Sequence, residues 1–235
     1  NVDVELWNKI VELGWTGIRI PEEYSGLGLG HLELCVIAEE LGRFLAPVPF
    51  SSSVYLFTEA IINYANDDIK KEILPKLVSG EVIGTLAVAE DLQAPTAENI
   101  TLQSDNNILN GKKIAVPDAE IATHAIVVAK TSSGISLQLV DLNADDVKIE
   151  KQENIDESRG YFSILFENSP SKLVGDETGG WDLYEALMNQ AAVLFGYEQI
   201  GGSQAALDMA INYSKERYAF GRQIDRKSTR LNSSH

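Results

Sequence analysis

Apolar residues recur at helical spacing from the beginning of the chain. Val4, Trp7 and Ile10 fall on one face of a helix, and Gly14 marks its predicted end. A stretch rich in glycine and other turn residues follows over positions 20–30. The first element is therefore an amphipathic helix that leads into a long turn.

Three further helical patterns follow this turn. The first lies directly after it, and the next two cover residues 54–65 and 68–78, beyond two prolines that interrupt the helical spacing. Asp67 or Asp68 is the expected N-cap of the last helix, because a side-chain oxygen there can accept from the free N–H groups of the first turn. Residues 1–81 are thus predicted to form a helical domain.

The pattern changes at residue 82. Short runs rich in β-branched residues alternate with turn residues, which predicts a middle domain over residues 82–172 built as a small antiparallel β-sandwich or barrel. Turn residues at 104–107 and 109–112 are expected to separate strands. The predicted strands are 82–89, 108–116, 125–129, 135–142, 147–151 and 162–166.

A third region begins after a glycine-rich loop. Apolar residues keep helical spacing from Trp181 to Tyr218, a helix of roughly 55 Å at 1.5 Å per residue, and a helix of that length normally belongs to a bundle. Gly201 and Gly202 lie inside it, where each glycine costs about 1 kcal/mol. Another element is therefore expected to press against the helix at this point. The whole chain is interpreted as a multidomain α+β protein.

Composition and charge exclude several classes of function. Apolar residues make up 44% of the chain, charged residues 23%, and the formal net charge is −16. This acidic balance argues against nucleic acid as a partner, since nucleic-acid binding needs clustered Lys and Arg. No apolar run approaches the roughly 20 residues of a membrane span, and no signal peptide is recognisable. An anionic cofactor is still allowed, because one arginine or a helix end can hold a phosphate.

Cysteine and histidine usage points away from a disulfide, a thiol nucleophile and a metal site. The single cysteine, Cys35, cannot form an internal disulfide and suits a reducing compartment. It is interpreted as a helix core residue, because no histidine stands in a partnering motif. The three histidines are dispersed, so no metal site is predicted.

A distinctive segment lies where the long helix ends. Arg217 precedes the pair Phe220 and Gly221 by three residues, which places a cation and an aromatic ring at a junction suited to a diphosphate and a flat ring. The alternative interpretation is a helix C-terminus with cations near the negative end of its dipole and a glycine stop. Residues 225–235 resemble the translation of a sequencing adapter, so they are excluded from fold reasoning and the natural protein is expected to continue beyond Ile224.

The order of helices, strands and a long helix resembles the acyl-CoA dehydrogenase family. The Arg-x-x-Phe-Gly-Arg segment at 217–222 resembles the part of that family that contacts the flavin dinucleotide of a neighbouring subunit. The resemblance covers residues 1–224 and implies that residues 173–224 are the first part of a C-terminal four-helix bundle. Further segments that resemble the family, in the same order, are 7–28, 39–43, 74–81, 109–113 and 198–208.

The resemblance implies FAD as the cofactor. Arg217 and Phe220 match the family's cofactor contacts directly. Leu86, Val88 and Ala89 are expected to present backbone groups to the flavin ring, because backbone N–H donors do not depend on the side chain.

Two flavin signatures of the family are altered in this chain. Residues 89–91 read Ala-Glu-Asp, where members carry Thr-Glu-Pro followed by Gly-Ser-Asp, and residues 115–117 read Ala-Val-Pro, where members carry Trp-Ile-Thr against the ring. The loss of hydroxyls and of the indole weakens the prediction of tight flavin binding.

The activity implied by the resemblance is α,β-dehydrogenation of an acyl-CoA thioester. A glutamate removes the α-proton, and the β-hydrogen leaves as a hydride to the flavin. In most members that glutamate would lie beyond Ile224, and its position in a minority falls near 190–192, where this chain has no acid. Glu198 is interpreted as a packing or interface residue. No catalytic residue is therefore assigned.

Three hypotheses follow for the function. The first is an acyl-CoA dehydrogenase that passes electrons to an electron-transfer flavoprotein and assembles as a homodimer, homotetramer or heterotetramer. The second is a non-catalytic partner subunit of a mixed oligomer, which the altered flavin signatures favour. The third is a related flavoenzyme, such as a nitroalkane oxidase or a monooxygenase. The expected location is the bacterial cytoplasm or, in a eukaryote, the mitochondrial matrix. The chain by itself is expected to be inactive and to associate through the apolar face of residues 181–218.

Overall fold

The computed structural model describes residues 2–156 and 158–224. Helices come first, a β-sheet follows and a long helix lies last, which confirms the α+β fold class. The predicted adapter segment, 225–235, lies outside the described residues. The α-helices are α1 (Val4–Glu12), α2 (His31–Arg43), α3 (Glu59–Tyr64), α4 (Asp67–Val78) and α5 (Gly180–Glu216).

The first helix forms as its sequence predicts. The Asp3 carboxylate caps α1 by accepting from the Leu6 N–H at 2.9 Å, and Trp7 and Ile10 are buried on its inner face. Gly14 adopts a left-handed φ of 75°, which a residue with a side chain rarely does, so the chain turns there. α1 therefore packs its predicted apolar face on the core.

The N-cap of α4 differs from the prediction. The Asn66 side chain accepts from the Ile69 N–H at 3.0 Å, while Asp67 and Asp68 lie in the first helical turn. Asn66 has an extended backbone with ψ 168°, the conformation that an N-cap needs. The two aspartates instead place negative charge at the positive end of the helix dipole.

A π-helix precedes α3 and was not predicted. Residues Ser51–Thr58 form it, and all eight are buried. The helical pattern over residues 54–65 identified only its second part, because three consecutive serines hide the start. Long π-helical segments are rare and are often found at functional sites.

The middle region is one eight-stranded sheet with mixed pairing. Its path runs β6-β7-β3-β2-β4-β5-β8, and β1 pairs with β4 off this path. β1 and β2 both lie parallel to β4, so the sheet is mixed where an antiparallel sandwich or barrel was expected; its other strand pairs are antiparallel. The strands are β1 (Gly84–Ala87), β2 (Gln103–Asp105), β3 (Ile108–Pro117), β4 (His124–Lys130), β5 (Ile135–Asp141), β6 (Val147–Lys151), β7 (Tyr161–Pro170) and β8 (Lys172–Val174).

One of the two predicted turns is present and the other is not. Asn106 and Asn107 have φ values of 49° and 62° and join β2 to β3 in a two-residue hairpin. Residues 109–112 instead lie inside β3, where the register with β7 shifts between Leu109 and Asn110. Gly111, with φ 140°, sits beside this irregularity, which is a common position for a glycine within a strand.

The expectation that an element presses on the glycines of α5 is confirmed. α5 packs along α2, and a Cβ atom on Gly201 would stand 1.8 Å from the Glu39 carbonyl oxygen. A Cβ atom on Gly42 would stand 2.0 Å from the Glu198 carbonyl oxygen. An ion pair between Arg43 and Asp208, 2.8 Å long, continues the contact. The glycines therefore allow two helix backbones to touch.

A second face of α5 is apolar and exposed. Val193, Ile200 and Leu207 recur every seven residues, with 56%, 53% and 52% of their surface exposed. The buried residues of the helix end at Gly201. No helix in the described part of the chain is long and apolar enough to cross a membrane.

Candidate functional site

The backbone at the end of β1 is fixed to β3. The Val88 carbonyl accepts from the Lys113 ammonium at 2.8 Å, and the Ala89 carbonyl accepts from the Ile114 N–H at 2.8 Å. The side chain of Leu86 points into the core, and those of Val88 and Ala89 are half-buried. The three residues expected at the flavin ring therefore form one rigid edge of the sheet.

A buried ion pair is bonded to this edge. Lys113 has no exposed side-chain surface, and its ammonium lies 2.7 Å from a carboxylate oxygen of Glu90. Burial lowers the pKa of Lys113 to about 8, and Glu90 offsets part of that fall. Burial by itself would raise the pKa of Glu90, but hydrogen bonds from Lys113, Thr101 and Leu102 lower it below the ordinary value. Both partners lie in segments that resemble the family, but their pairing has no signature in the sequence.

The altered segment at 115–117 forms the other half of this edge. Ala115 has a left-handed φ of 51°, and its N–H donates to the Gln152 side chain at 2.7 Å. The register between β3 and β7 shifts between Lys113 and Val116, so Ala115 lies in a bulge. The Pro117 carbonyl accepts from the Thr85 hydroxyl at 2.7 Å and ties the end of β3 to β1.

The segment with Arg217 and Phe220 is a hairpin. α5 ends at Glu216, and Arg217 is its C-cap with an extended backbone. Two short strands, β9 (Tyr218–Ala219) and β10 (Arg222–Gln223), then pair antiparallel. Phe220 and Gly221 form the two-residue turn with φ values of 53° and 76°, so the predicted junction of helix and loop is replaced by a hairpin tip.

Both predicted cofactor side chains of this hairpin are exposed. The Phe220 ring is fully exposed. The Arg217 guanidinium donates to the Tyr213 hydroxyl and lies 5.4 Å from the centre of that ring, which holds it on the helix surface. A planar guanidinium has five donors, so further donors are available for a phosphate.

The hairpin and the β1 edge lie apart within one chain. Arg217 stands 16 residues beyond Gly201, the last buried residue of α5, or about 24 Å further along the helix axis. Leu86 belongs to the core against which the buried part of α5 packs. The structure therefore does not bring Arg217 and Phe220 together with Leu86, Val88 and Ala89.

An unpredicted acid lies beside the segment 190–192. Glu59 of α3 has no exposed side-chain surface, and its two oxygens accept from Arg19 at 2.8 Å and from Gln190 at 2.6 Å. The Gln190 nitrogen also lies 2.7 Å from the His31 ring. The helical spacing of α3 gave no signal for this contact, since its partners come from distant segments. Arg19 neutralises the acid, so the network joins the first helices to α5.

Cys35 is a core residue, as its sequence context predicts. Only 6% of its surface is exposed, and burial raises the pKa of its thiol. Within residues 2–156 and 158–224 no group of three or more His, Cys, Asp or Glu side chains is placed to hold a metal ion.

Glu198 lies at the contact between α2 and α5, and it also lines a cleft. Its carboxylate lies 3.5 Å from the Arg159 guanidinium, which comes from the loop before β7. Burial raises the pKa of Glu198, and Arg159 and Tyr55 offset part of that rise. The interpretation of Glu198 as a packing or interface residue thus omitted its ionic partner.

Comparison with known proteins agrees with this fold. Residues 1–81 match the family model of the acyl-CoA dehydrogenase N-terminal domain. Isovaleryl-CoA dehydrogenase from Pongo abelii is 31% identical over 239 residues, which cover 94% of this chain and 56% of that protein. An acyl-CoA dehydrogenase from Bacillus subtilis is 28% identical, with 94% of this chain and 62% of that protein covered. The chain spans about three fifths of the length of these curated relatives.

Solved structures show the same architecture. Butyryl-CoA dehydrogenase from Megasphaera elsdenii superposes with a TM-score of 0.90 at 23% identity, over 99% of this chain and 66% of that one. A steroid ACAD variant superposes with a TM-score of 0.84 at 27% identity, over 98% of this chain and 63% of that one. The fold is therefore that of the acyl-CoA dehydrogenases. Residues 1–81 belong to the acyl-CoA dehydrogenase N-terminal domain family, and the chain as a whole is similar to acyl-CoA dehydrogenases over 94% of its length.

Proposed function

We propose that this chain is part of an FAD-dependent acyl-CoA dehydrogenase that oxidises the Cα–Cβ bond of an acyl-CoA thioester. The observation that carries the proposal is the exposed pair Arg217 and Phe220 on a preformed hairpin, in a chain similar to acyl-CoA dehydrogenases. A cation and an aromatic ring with free surface fit the diphosphate and the rings of a flavin dinucleotide.

Residues of this chain would hold the cofactor at two separate places. The guanidinium of Arg217 would bind the diphosphate, and Phe220 would pack on the adenine half. The rigid edge at Val88 and Ala89 would position the flavin ring, which accepts the hydride from the substrate when the cofactor is bound. Because these places are far apart in one chain, each flavin would contact two subunits. A dimer or a larger oligomer of dimers follows from this arrangement.

The proton at Cα would be removed by a residue outside the described part of the chain. Position 191 is an alanine, and the nearby acid Glu59 is buried and paired with Arg19. Its two oxygens already accept from Arg19 and Gln190, so Glu59 serves to join these segments. The proposed electron acceptor is an electron-transfer flavoprotein, and the proposed location is the bacterial cytoplasm or the mitochondrial matrix.

The test uses the natural-length protein purified without added flavin. We expect a yellow protein whose flavin absorbance bleaches with an acyl-CoA under anaerobic conditions. Arg217→Ala and Phe220→Ala should each weaken FAD binding about 10-fold or more, because each removes a charge-assisted or stacking contact. Lys215→Ala is the matched control, since it removes a cation from the last turn of the same helix without touching the hairpin.

Retention of FAD and of bleaching in both hairpin variants would contradict the proposal. Arg217→Lys gives a finer test: it keeps the charge but loses the planar fork, so its affinity should lie between those of the wild type and Arg217→Ala.

A second candidate is a non-catalytic subunit of a mixed oligomer. It is favoured by Ala89, which offers no hydroxyl at the proposed ring edge, and by Ala115, which offers no indole and lies in a bulge. This candidate predicts that the protein purified alone contains no flavin and acquires it only with a sister chain. One flavin per chain in the isolated protein would exclude it.

A further inference from the structure

A cleft opens between α2, α5 and the loop that precedes β7. Its volume is about 750 Å³, which lies within the range of small-molecule sites. Most of its wall is apolar and includes Leu41, Val48, Phe50 and Phe195. Arg159 and Glu198 stand at one end, with 29% and 18% of their side chains exposed. The cleft therefore combines a large apolar wall with a charged end.

The charged end is built into the fold. The Arg159 guanidinium donates to the Ser51 hydroxyl at the start of the π-helix and lies 3.5 Å from Glu198. The neighbouring Ser52 hydroxyl donates to the Asp118 carboxylate at 2.7 Å. Burial raises the pKa of Asp118, and Ser52 and Arg159 offset part of that rise. Four segments distant in sequence thus converge on one polar cluster.

A buried hydroxyl in this cluster is only weakly satisfied. The Tyr55 side chain is fully buried, and its hydroxyl faces the Glu198 carboxylate without a hydrogen bond of ordinary geometry. The ring stands edge-on between Phe50 and Phe195, with centroid distances of 5.6 and 5.8 Å. Buried hydroxyls are normally well paired, so this loosely held hydroxyl marks a place where polar groups can rearrange around a ligand.

The cluster adjoins the proposed flavin edge. Asp118 directly follows the segment 115–117, and its N–H donates to the Gly160 carbonyl at 3.1 Å, next to Arg159. Pro117 is in turn tied to β1 through Thr85. The charged end of the cleft therefore lies near that edge.

The charges of the cleft indicate what this distal part carries. Among the described residues that line it, Asp156 and Glu198 oppose the single cation Arg159. This excess of acid disfavours a carboxylate. A purely aliphatic tail would bury the ion pair without replacing its contacts with water, which is costly. A neutral oxygen meets both partners, because the guanidinium can donate to it and the carboxylate can accept from a hydroxyl.

We propose that this cleft binds the distal part of the acyl group, and that it selects bulky, largely apolar acyl groups bearing a hydroxyl or keto oxygen. The proposal rests on the proposed acyl-CoA dehydrogenase function and specifies its substrate class. Arg159 and Glu198 are the specificity-determining residues.

The test compares two CoA thioesters of equal carbon number with the natural-length, FAD-loaded protein. One has an unsubstituted hydrocarbon tail and the other a distal hydroxyl. Dissociation constants are measured by anaerobic calorimetry, and kcat/KM by flavin bleaching. We expect the hydroxylated ester to bind about 10- to 100-fold more tightly, the effect of one hydrogen bond to a charged group.

Variants assign this preference to the cleft. Arg159→Met and Glu198→Gln should each reduce the ratio of the two dissociation constants to about threefold or less. Arg159→Lys keeps the charge and serves as the control for loss of folding. Its ratio of the two dissociation constants should be intermediate. Glu72→Gln removes an acid that pairs with Lys172 elsewhere on the surface, and it should leave the ratio unchanged.

The outcomes separate the two proposals. Equal binding of both esters, or tighter binding of an ester with a distal amine or carboxylate, overturns the assignment of the cleft even if the flavin bleaches. Preferential binding of the hydroxylated ester that depends on Arg159 and Glu198 supports it. The same preference without any bleaching supports the cleft and overturns the dehydrogenase function.

Discussion

The Glu39 carbonyl oxygen of α2 lies where a side chain on Gly201 of α5 would begin. The distance to an ideal Cβ atom would be 1.8 Å, and the Arg43 nitrogen would be 2.8 Å away. All of these neighbours are backbone atoms, which cannot move aside as a flexible side chain can. Gly201 is therefore required by helix packing, which outweighs the intrinsic cost of glycine inside a helix.

Substitution of Gly201 should separate the two helices. We expect Gly201→Ala to lower the free energy of unfolding by about 3 kcal/mol or more, because the added methyl overpacks a contact between backbones. Gly196→Ala is the matched control on the same helix. Its Cβ atom would meet nothing within 4 Å, so it should raise stability by up to about 1 kcal/mol. Urea denaturation measures both, and equal effects would contradict this account.

The buried Lys113 of the ion pair with Glu90 should make the free energy of unfolding depend on pH in the alkaline range. The Lys113 pKa falls from 10.5 to about 8 on folding. Between these values the unfolded chain binds the proton and the folded chain does not, so stability rises as the pH rises from 8 to about 10. The full change is about 3 kcal/mol at most.

The measurement is chemical denaturation of the wild type and Lys113→Met at several pH values. The difference in unfolding free energy should shift in favour of the wild type as the pH rises. Lys112→Met removes the neighbouring, half-exposed lysine and should show no such shift. If the difference in unfolding free energy between the wild type and Lys113→Met does not change with pH, burial does not lower the pKa of Lys113.

Glu198 should show the opposite dependence in the acid range. Its pKa is raised on folding, so the contribution of Glu198 to stability is fully present below the unfolded value and is lost as the pH rises through the folded pKa. Glu198→Gln should therefore be more stable than the wild type at neutral pH and should lose this advantage near pH 4. An advantage that persists at low pH would show that packing, rather than charge, causes it.

The exposed apolar face of α5 should drive association of the 235-residue chain. Val193, Ile200 and Leu207 repeat every seven residues, the spacing of a helix that packs against other helices. Sedimentation velocity should show oligomers or aggregates. Replacing Ile200 and Leu207 by lysine should shift the chain toward the monomer.

Asn212→Lys provides the control for this prediction. It adds a lysine to an exposed polar position of the same helix and should leave association unchanged. A monodisperse monomer of the unsubstituted chain would contradict the prediction.

Local patterns were enough to predict the longer elements, but not the π-helix, the short strands β2 and β8 or the partner of each element. The extent of α5 was predicted within two residues, because its apolar repeat persists from Trp181. The parallel pairing of β1 with β4 was missed, since the two strands are separated by about 40 residues and pairing direction leaves no local signal. The hairpin at Phe220 was taken for a loop because two-residue turns favour Asn or Gly, not Phe, at the first position.

The candidate site was likewise predictable from the sequence only in part. Arg217 and Phe220 could be identified from their spacing, since both stand on one short segment. Arg159 and Glu198 could not, because their pairing depends on how the middle region packs against α5. A lone arginine in a loop and a lone glutamate in a helix look in sequence like ordinary surface residues.

The hairpin tip has a consequence for how a ligand would be captured. Phe220 already holds an uncommon backbone conformation, and its aromatic ring projects clear of its own chain. The conformational cost is thus met when the chain folds, and a molecule that covers the ring need not reorder the turn. Association at this tip should therefore proceed as rigid docking onto a preorganised surface, with little of the entropy loss that accompanies folding upon binding.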